Sequence, residues 1–210
     1  MSLLMQKGGS GPVPRLDGRE VLVGPDPEIC KVKGVMFGGR KQFLIDTMGE
    51  EGFHDFAATL TPKTRGYVMT PLASSWCEFA SIVELDRAIH EKLKARYPNV
   101  LALIGAASAE LGIGKVYKIL DTNELTKFLE NNALFHTQYQ KFGRLRYEKT
   151  ASGARMIFTD YPCYSPIFCA SAVGYFLEAI LRHGGTNPNV TETKCHCHGD
   201  SSCTFELTWN

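Results

Sequence analysis

Residues 144–162 read RLRYEKTASGARMIFTDYP, and the fold class turns on how this segment is arranged. RLRYEKT and ARMIFTDYP read as two strands, and the ASG between them is a hairpin signal. Immediately after comes SPIFCASAVGYFLEAILRHGG (165–185), the clearest helix of the chain. Ser165 is its cap, Pro166 suits its first turn and Gly184-Gly185 ends it. A second hairpin candidate, ETKCHCHGDSSCTFELTW (192–209), closes the chain.

Upstream, REVLVG (19–24) and CKVKGVMF (30–37) read as strands. GGRKQFLIDTMG and EEGFHDFAATL read as two helices, and YVMTPLASS as a loop or short turn. Ser75 is expected to cap a helix through WCEFASIVELDRAIHEKLKARY, with Glu78 as its capping-box partner. NVLALIGAASAELGIGKVYKIL (99–120) is apolar on most sides, as an interior helix is. A further helix over 121–142 is expected to start at Asp121 or Thr122. Strands come in adjacent pairs instead of alternating with helices, which predicts an α+β class with antiparallel strands. The expected organisation is a flexible tail over 1–15 and a single domain over 16–210.

A chain of 210 residues buries roughly 70% of its unfolded surface and needs no disulfides for stability. Net charge is +1 with no basic stripe, which argues against a nucleic-acid groove. No apolar run reaches 18 residues, so no membrane span is expected. The first residues lack a signal peptide's long apolar stretch, so a cytoplasmic location is expected. In a reducing compartment the seven cysteines are expected as free thiols or metal ligands.

Four of those cysteines carry chemistry. In the last strand Cys203, Phe205, Leu207 and Trp209 share one face, which is apolar and therefore inward. A three-residue loop Gly199-Asp200-Ser201 would set Cys197 opposite Cys203 and turn Cys195 and Cys197 inward too; another loop length would reverse this. In the preceding helix Cys169, Val173, Phe176, Leu177 and Ile180 make the apolar face. A helix cysteine and hairpin cysteines that converge can build a tetrahedral thiolate site for zinc. The competing readings are four unrelated buried thiols or a redox pair of Cys195 and Cys197.

Cys169, Glu192 twenty-three residues on, Cys195 three further and Cys203 eight further form a spacing that resembles the zinc signature of 4-vinyl-reductase-type domains. The ending GDSSCTFEL and the helix FCASAVGYF are similar to that family as well. The resemblance covers roughly residues 140–209. Upstream, VKGVMFGG and the Trp-x-Glu-Phe helix start resemble a bacterial paralogous family of unknown function related to the same fold. The resemblance implies a Bet3-like fold of the NO-signalling and Golgi-transport ligand-binding type, an antiparallel sheet packed against a helical layer. It implies a structural zinc on Cys169, Glu192, Cys195 and Cys203, with Cys197 in reserve. Glu192 and Cys195 point to opposite faces of a regular strand, so Glu192 needs a bulge to join the set.

By that resemblance the function is non-enzymatic, a homodimeric sensor that binds a small apolar or aromatic ligand and signals to a separate regulatory protein. His136 and Tyr139 in ALFHTQY and Phe158 in MIF are the candidate ligand contacts. His136 also reads as an ordinary core histidine, and His196 and His198 as solvated. The alternatives are an enzyme or accessory factor acting on a tetrapyrrole-like ring, or a structural adaptor.

Overall fold

Residues 29–113 and 124–210, together with Leu3, are described by the computed structural model. The tail over 1–15 apart from Leu3, the strand expected at 19–24, the segment 114–120 and the cap at Asp121 or Thr122 lie outside them. Strand β1 (Lys31–Lys33) leads into helix α1 (Val35–Ala58), which kinks at Gly49. Helix α2 (Pro62–Met69), strand β2 (Trp76–Glu78), helix α3 (Phe79–Leu93), helix α4 (Val100–Leu111) and helix α5 (Leu125–Leu134) follow. The C-terminal half comprises β3 (Arg144–Thr150), β4 (Gly153–Thr159), helix α6 (Pro166–Arg182), β5 (Asn189–Lys194) and β6 (Cys203–Thr208).

The α+β expectation holds. The second sheet is fully antiparallel in the order β3-β4-β6-β5. Met156 and Phe158 on β4 and Phe205 on β6 are buried, and Phe176 of α6 packs on Phe158 and Phe205. On β4, Arg155 bridges Glu206 and Glu148 of the strands on either side, a charge ladder across three strands. Ser165 accepts from the Phe168 amide and Pro166 opens α6, as the sequence predicts.

Two glycines let the helical layer close. A Cβ on Gly105 of α4 would stand 1.8 Å from the Ser171 carbonyl oxygen, and one on Gly174 of α6 would stand 1.8 Å from that of Ala102. The two helices therefore touch backbone to backbone, and any side chain at either position would hold them apart.

Several local readings are corrected. Chain 30–37 is strand only at Lys31–Lys33. Gly34 then lets the chain turn into α1, in a place where a Cβ would lie 2.1 Å from the Leu72 oxygen. The expected Ser75–Glu78 capping box does not form, because Trp76–Glu78 pairs with β1 and α3 starts only at Phe79. Lys33 and Lys141 both lie over the Trp76 ring, which holds that strand in place. YVM is helical because Thr61 caps α2, accepting from the Thr64 amide. Cys30 and Cys163 are joined as a disulfide, against the expectation of free thiols. They are 133 residues apart, and only tertiary packing brings the start of β1 beside the segment that precedes α6.

Candidate functional site: a cavity and a thiol cluster

A cavity of about 110 Å³ lies where the helices meet the sheet. Met36 and Arg40 of α1, Phe128 and Asn132 of α5, Tyr175 of α6 and Phe158 of β4 are among its walls. Arg40 sits on it as half of an ion pair with Asp86 of α3; both are buried. Burial pushes the Asp86 carboxyl up, and Arg40 opposes that shift.

His136, Tyr139 and Phe158, the ligand contacts expected from sequence, all line this cavity. The His136 Nε2 lies 3.3 Å from the Phe142 carbonyl and 3.1 Å from the Tyr161 hydroxyl. Tyr161 in turn donates to Gln140 Oε1 at 3.0 Å. A carbonyl only accepts and the Tyr161 proton is already committed, so Nε2 is the protonated nitrogen. Burial lowers the His136 pKa to about 4, so the ring is neutral near pH 7.

The thiol cluster includes Cys169, near the start of α6. Ligand atoms of Cys169, Glu192, Cys195 and Cys203 all fall within 4.8 Å of one another. Cys169 Sγ is 3.5 Å from Cys203 Sγ, and the His196 amide donates to Cys203 Sγ at 3.4 Å. Glu192 turns inward at a shift of the β5–β6 register between Glu192 and Lys194, which is the bulge its participation demands. Burial first, and Cys195 second, raise its pKa to about 8. One of its oxygens is buried with no hydrogen-bond partner among the described residues. Hydrogen bonds from Cys169, Cys197 and Cys203 hold the Cys195 thiol low, and those from Cys195 and Cys203 push Cys169 up.

The register expected for the hairpin is corrected. Strand β5 ends at Lys194, opposite Thr204, and His196–His198 forms a 3₁₀ turn instead of continuing the strand. Asp200 accepts from the Cys195 amide at 2.8 Å, and Gly199 takes a left-handed conformation with φ 101°. That turn leaves Cys195 buried and Cys197 half-buried. It also brings His196, expected to be solvated, onto the Tyr164 ring at 4.0 Å.

Arg40, Asp86, Asn132, Gln140, Tyr161 and Tyr175 were missed by sequence reasoning. A signal existed for Asp86, which shares a helical stripe with Ile82, Ile89 and Leu93 and so places a charge on an apolar face. A smaller void of about 20 Å³ lies between the cavity and the cluster. Phe158 and Phe168 line both spaces, and Cys169 and Cys203 line the smaller one.

No family model matches the chain, and no curated protein matches it. Among solved structures it is similar to an H-NOX protein from S. oneidensis in the Fe(II)NO ligation state, with TM-score 0.67 and 12% identity over 85% of this chain and 99% of that one. The H-NOX domain from Shewanella oneidensis in the Fe(II)CO state aligns with TM-score 0.63 and 13% identity, covering 85% and 98%. The Fe(II) unliganded H-NOX protein from K. algicida gives 0.61 and 14%, covering 85% and 96%.

These neighbours correct the resemblance drawn from the cysteines: neither the 4-vinyl-reductase-type assignment nor the Bet3-like label is supported. A helix-to-hairpin donor spacing describes one local clip and says little about the helices packed above it. The structural zinc is corrected with it, since it was implied by that resemblance and the similar H-NOX structures are in Fe(II) states. Three thiols and a carboxylate are a soft donor set without being particular to zinc. The cavity as described does not fit an iron-bearing ring either. His136 is the only histidine among the described residues that line it. A space of about 110 Å³ is on the scale of the roughly 150 Å³ cavity that holds benzene, too small for a tetrapyrrole. What the likeness carries is the fold: this chain has the α+β architecture of the H-NOX structures.

Proposed function

We propose that residues 16–210 form a non-enzymatic sensor domain that binds a small apolar or aromatic molecule in the cavity between helices and sheet. The observation that carries this reading is the cavity itself, with mostly apolar walls, a few polar groups and contributions from both layers. A core filled by its own Phe and Leu side chains would have left no such space. Because α1, α4, α5, α6, β3 and β4 all reach the cavity, a ligand there biases how the layers pack. Phe158 pairs across the sheet with Cys203, which links the ligand wall directly to the thiol cluster. Signalling passes to a separate regulatory partner, and the domain acts as a homodimer.

The second element of the proposal is that Cys169, Glu192, Cys195 and Cys203 hold one soft metal ion, with Cys197 in reserve. The support is the convergence of four donors and the unsatisfied Glu192 oxygen, which a cation would pair.

Native mass spectrometry of the purified chain tests both elements. The expected spectrum is a dimer carrying one metal ion per chain, with a retained molecule of benzene-like size or a mass shift on adding one. A metal-free folded chain removes the second element. A chain that takes up no ring-sized molecule removes the first.

A further inference from the structure

The polar groups of the cavity differ in one respect, which is whether the protein already uses them. Arg40 is the only charged side chain among the described residues that line the space. Its Nε and Nη2 donate to the two Asp86 carboxylate oxygens at 2.7 Å each. The second Nη2 proton goes to Ser171 Oγ at 3.4 Å, and Nη1 donates to Met36 O at 3.2 Å and Ser108 Oγ at 2.5 Å. A guanidinium has five N–H donors, and these five acceptors take them all. The pair therefore offers no free charge to an anion or a cation, and a charged guest would lose its hydration without compensation.

His136 and Gln140 are the opposite case. Each is only 5% exposed and each lines the cavity. Both reach the same Tyr161 hydroxyl, His136 through Nε2 and Gln140 through Oε1. With Nε2–H committed, His136 Nδ1 keeps a lone pair that accepts from nothing among the described residues. The Gln140 side-chain NH₂ likewise donates to nothing among them. A guest that pairs them supplies the hydrogen bonds that the described residues do not.

We infer that the cavity selects a small neutral ring presenting a hydrogen-bond donor to His136 Nδ1 and an adjacent acceptor to the Gln140 amide, as the N–H and C=O of a lactam-type heterocycle do. This rests on the ligand-binding reading of the same cavity and names the chemistry that reading leaves open. Tyr175 agrees with a neutral guest: its hydroxyl accepts from Asn132 at 2.8 Å, and burial raises its pKa to about 12, so it stays uncharged.

The test is calorimetric titration of the full chain with four probes: benzene, 2-pyridone, N-methyl-2-pyridone and benzoate. The expected result is 2-pyridone binding about tenfold tighter than the N-methyl compound, the scale of one net hydrogen bond, and tighter than benzene by a larger factor, with no saturable benzoate binding. Gln140→Leu and His136→Phe should each lower the ratio of 2-pyridone to benzene affinity measured within the same variant. Benzene binding as tightly as 2-pyridone, or benzoate binding tightest, overturns this inference while the cavity remains a ligand site. Failure of all four to bind overturns the ligand-site reading, and this inference with it. If a variant fails to fold, the wild-type probe series decides alone.

Discussion

Arg40 and Asp86 stand 46 residues apart in the chain and meet in a two-pronged ion pair, Nε to Oδ1 and Nη2 to Oδ2, both at 2.7 Å. Their side chains are 3% and 0% exposed. The attraction roughly offsets the desolvation of two charges, whereas one charge left alone does not recover it. Asp86→Asn should therefore cost about 3–5 kcal/mol. An Arg40→Met, Asp86→Leu double variant should regain most of that loss. Urea denaturation of the two variants checks it; a double variant as unstable as Asp86→Asn would contradict the argument.

Burial holds the His136 pKa at about 4, against 6.5 for an ordinary histidine. The unfolded chain therefore binds this proton at a pH where the folded chain refuses it. The resulting stability is fully present above pH 6.5 and is lost as pH falls toward 4. The loss at this residue is on the order of 3 kcal/mol. Thermal melts between pH 7 and pH 4.5 should show the decline, and His136→Gln should flatten it. An equal decline in that variant would place the titrating group elsewhere.

The crossing of α4 and α6 depends on Gly105 and Gly174. Adding one methyl at Gly174 drives a Cβ into the Ala102 carbonyl, a backbone atom with no freedom to step aside. Gly174→Ala should destabilise by about 1–3 kcal/mol, the usual cost of overpacking. For a chain of this length that lowers Tm by roughly 2–12 °C. Gly66→Ala, where a Cβ meets nothing within 4 Å, is the matched control and should leave Tm unchanged or raise it slightly.

Among the cysteines, Cys203 and Cys197 separate the cluster from its surroundings. Cys203→Ala should abolish stoichiometric metal, as read by elemental analysis, and lower stability more than the loss of one small core side chain would. Cys197→Ala should change neither, because its sulfur lies outside the four-donor set. Metal retained in Cys203→Ala and lost in Cys197→Ala would reassign the ligands.

Much of the C-terminal half was legible because its signals are local. ASG joins two strands, Ser165-Pro166 starts a helix, and alternation along residues 203–207 turns Cys203, Phe205 and Leu207 inward. Those signals fix the inward faces of Cys169 and Cys203, and the β5–β6 register shift with strand pairing and helix packing brought Glu192 and Cys195 to them. The hairpin register was not legible. Asp200 capping the Cys195 amide, and a left-handed Gly199, favoured a 3₁₀ turn over two more strand residues.

Periodicity within single elements was enough to set the α+β class and the inward faces of the last helix and strand. It could not say that Trp76–Glu78 pairs with β1, that Cys30 meets Cys163, or that Arg40 finds Asp86. Nor could it say that Tyr161 ties His136 to Gln140 beside an open cavity. Those contacts join residues up to 133 positions apart. Their free energy exists only once distant segments share one interior, where burial makes each polar partner count.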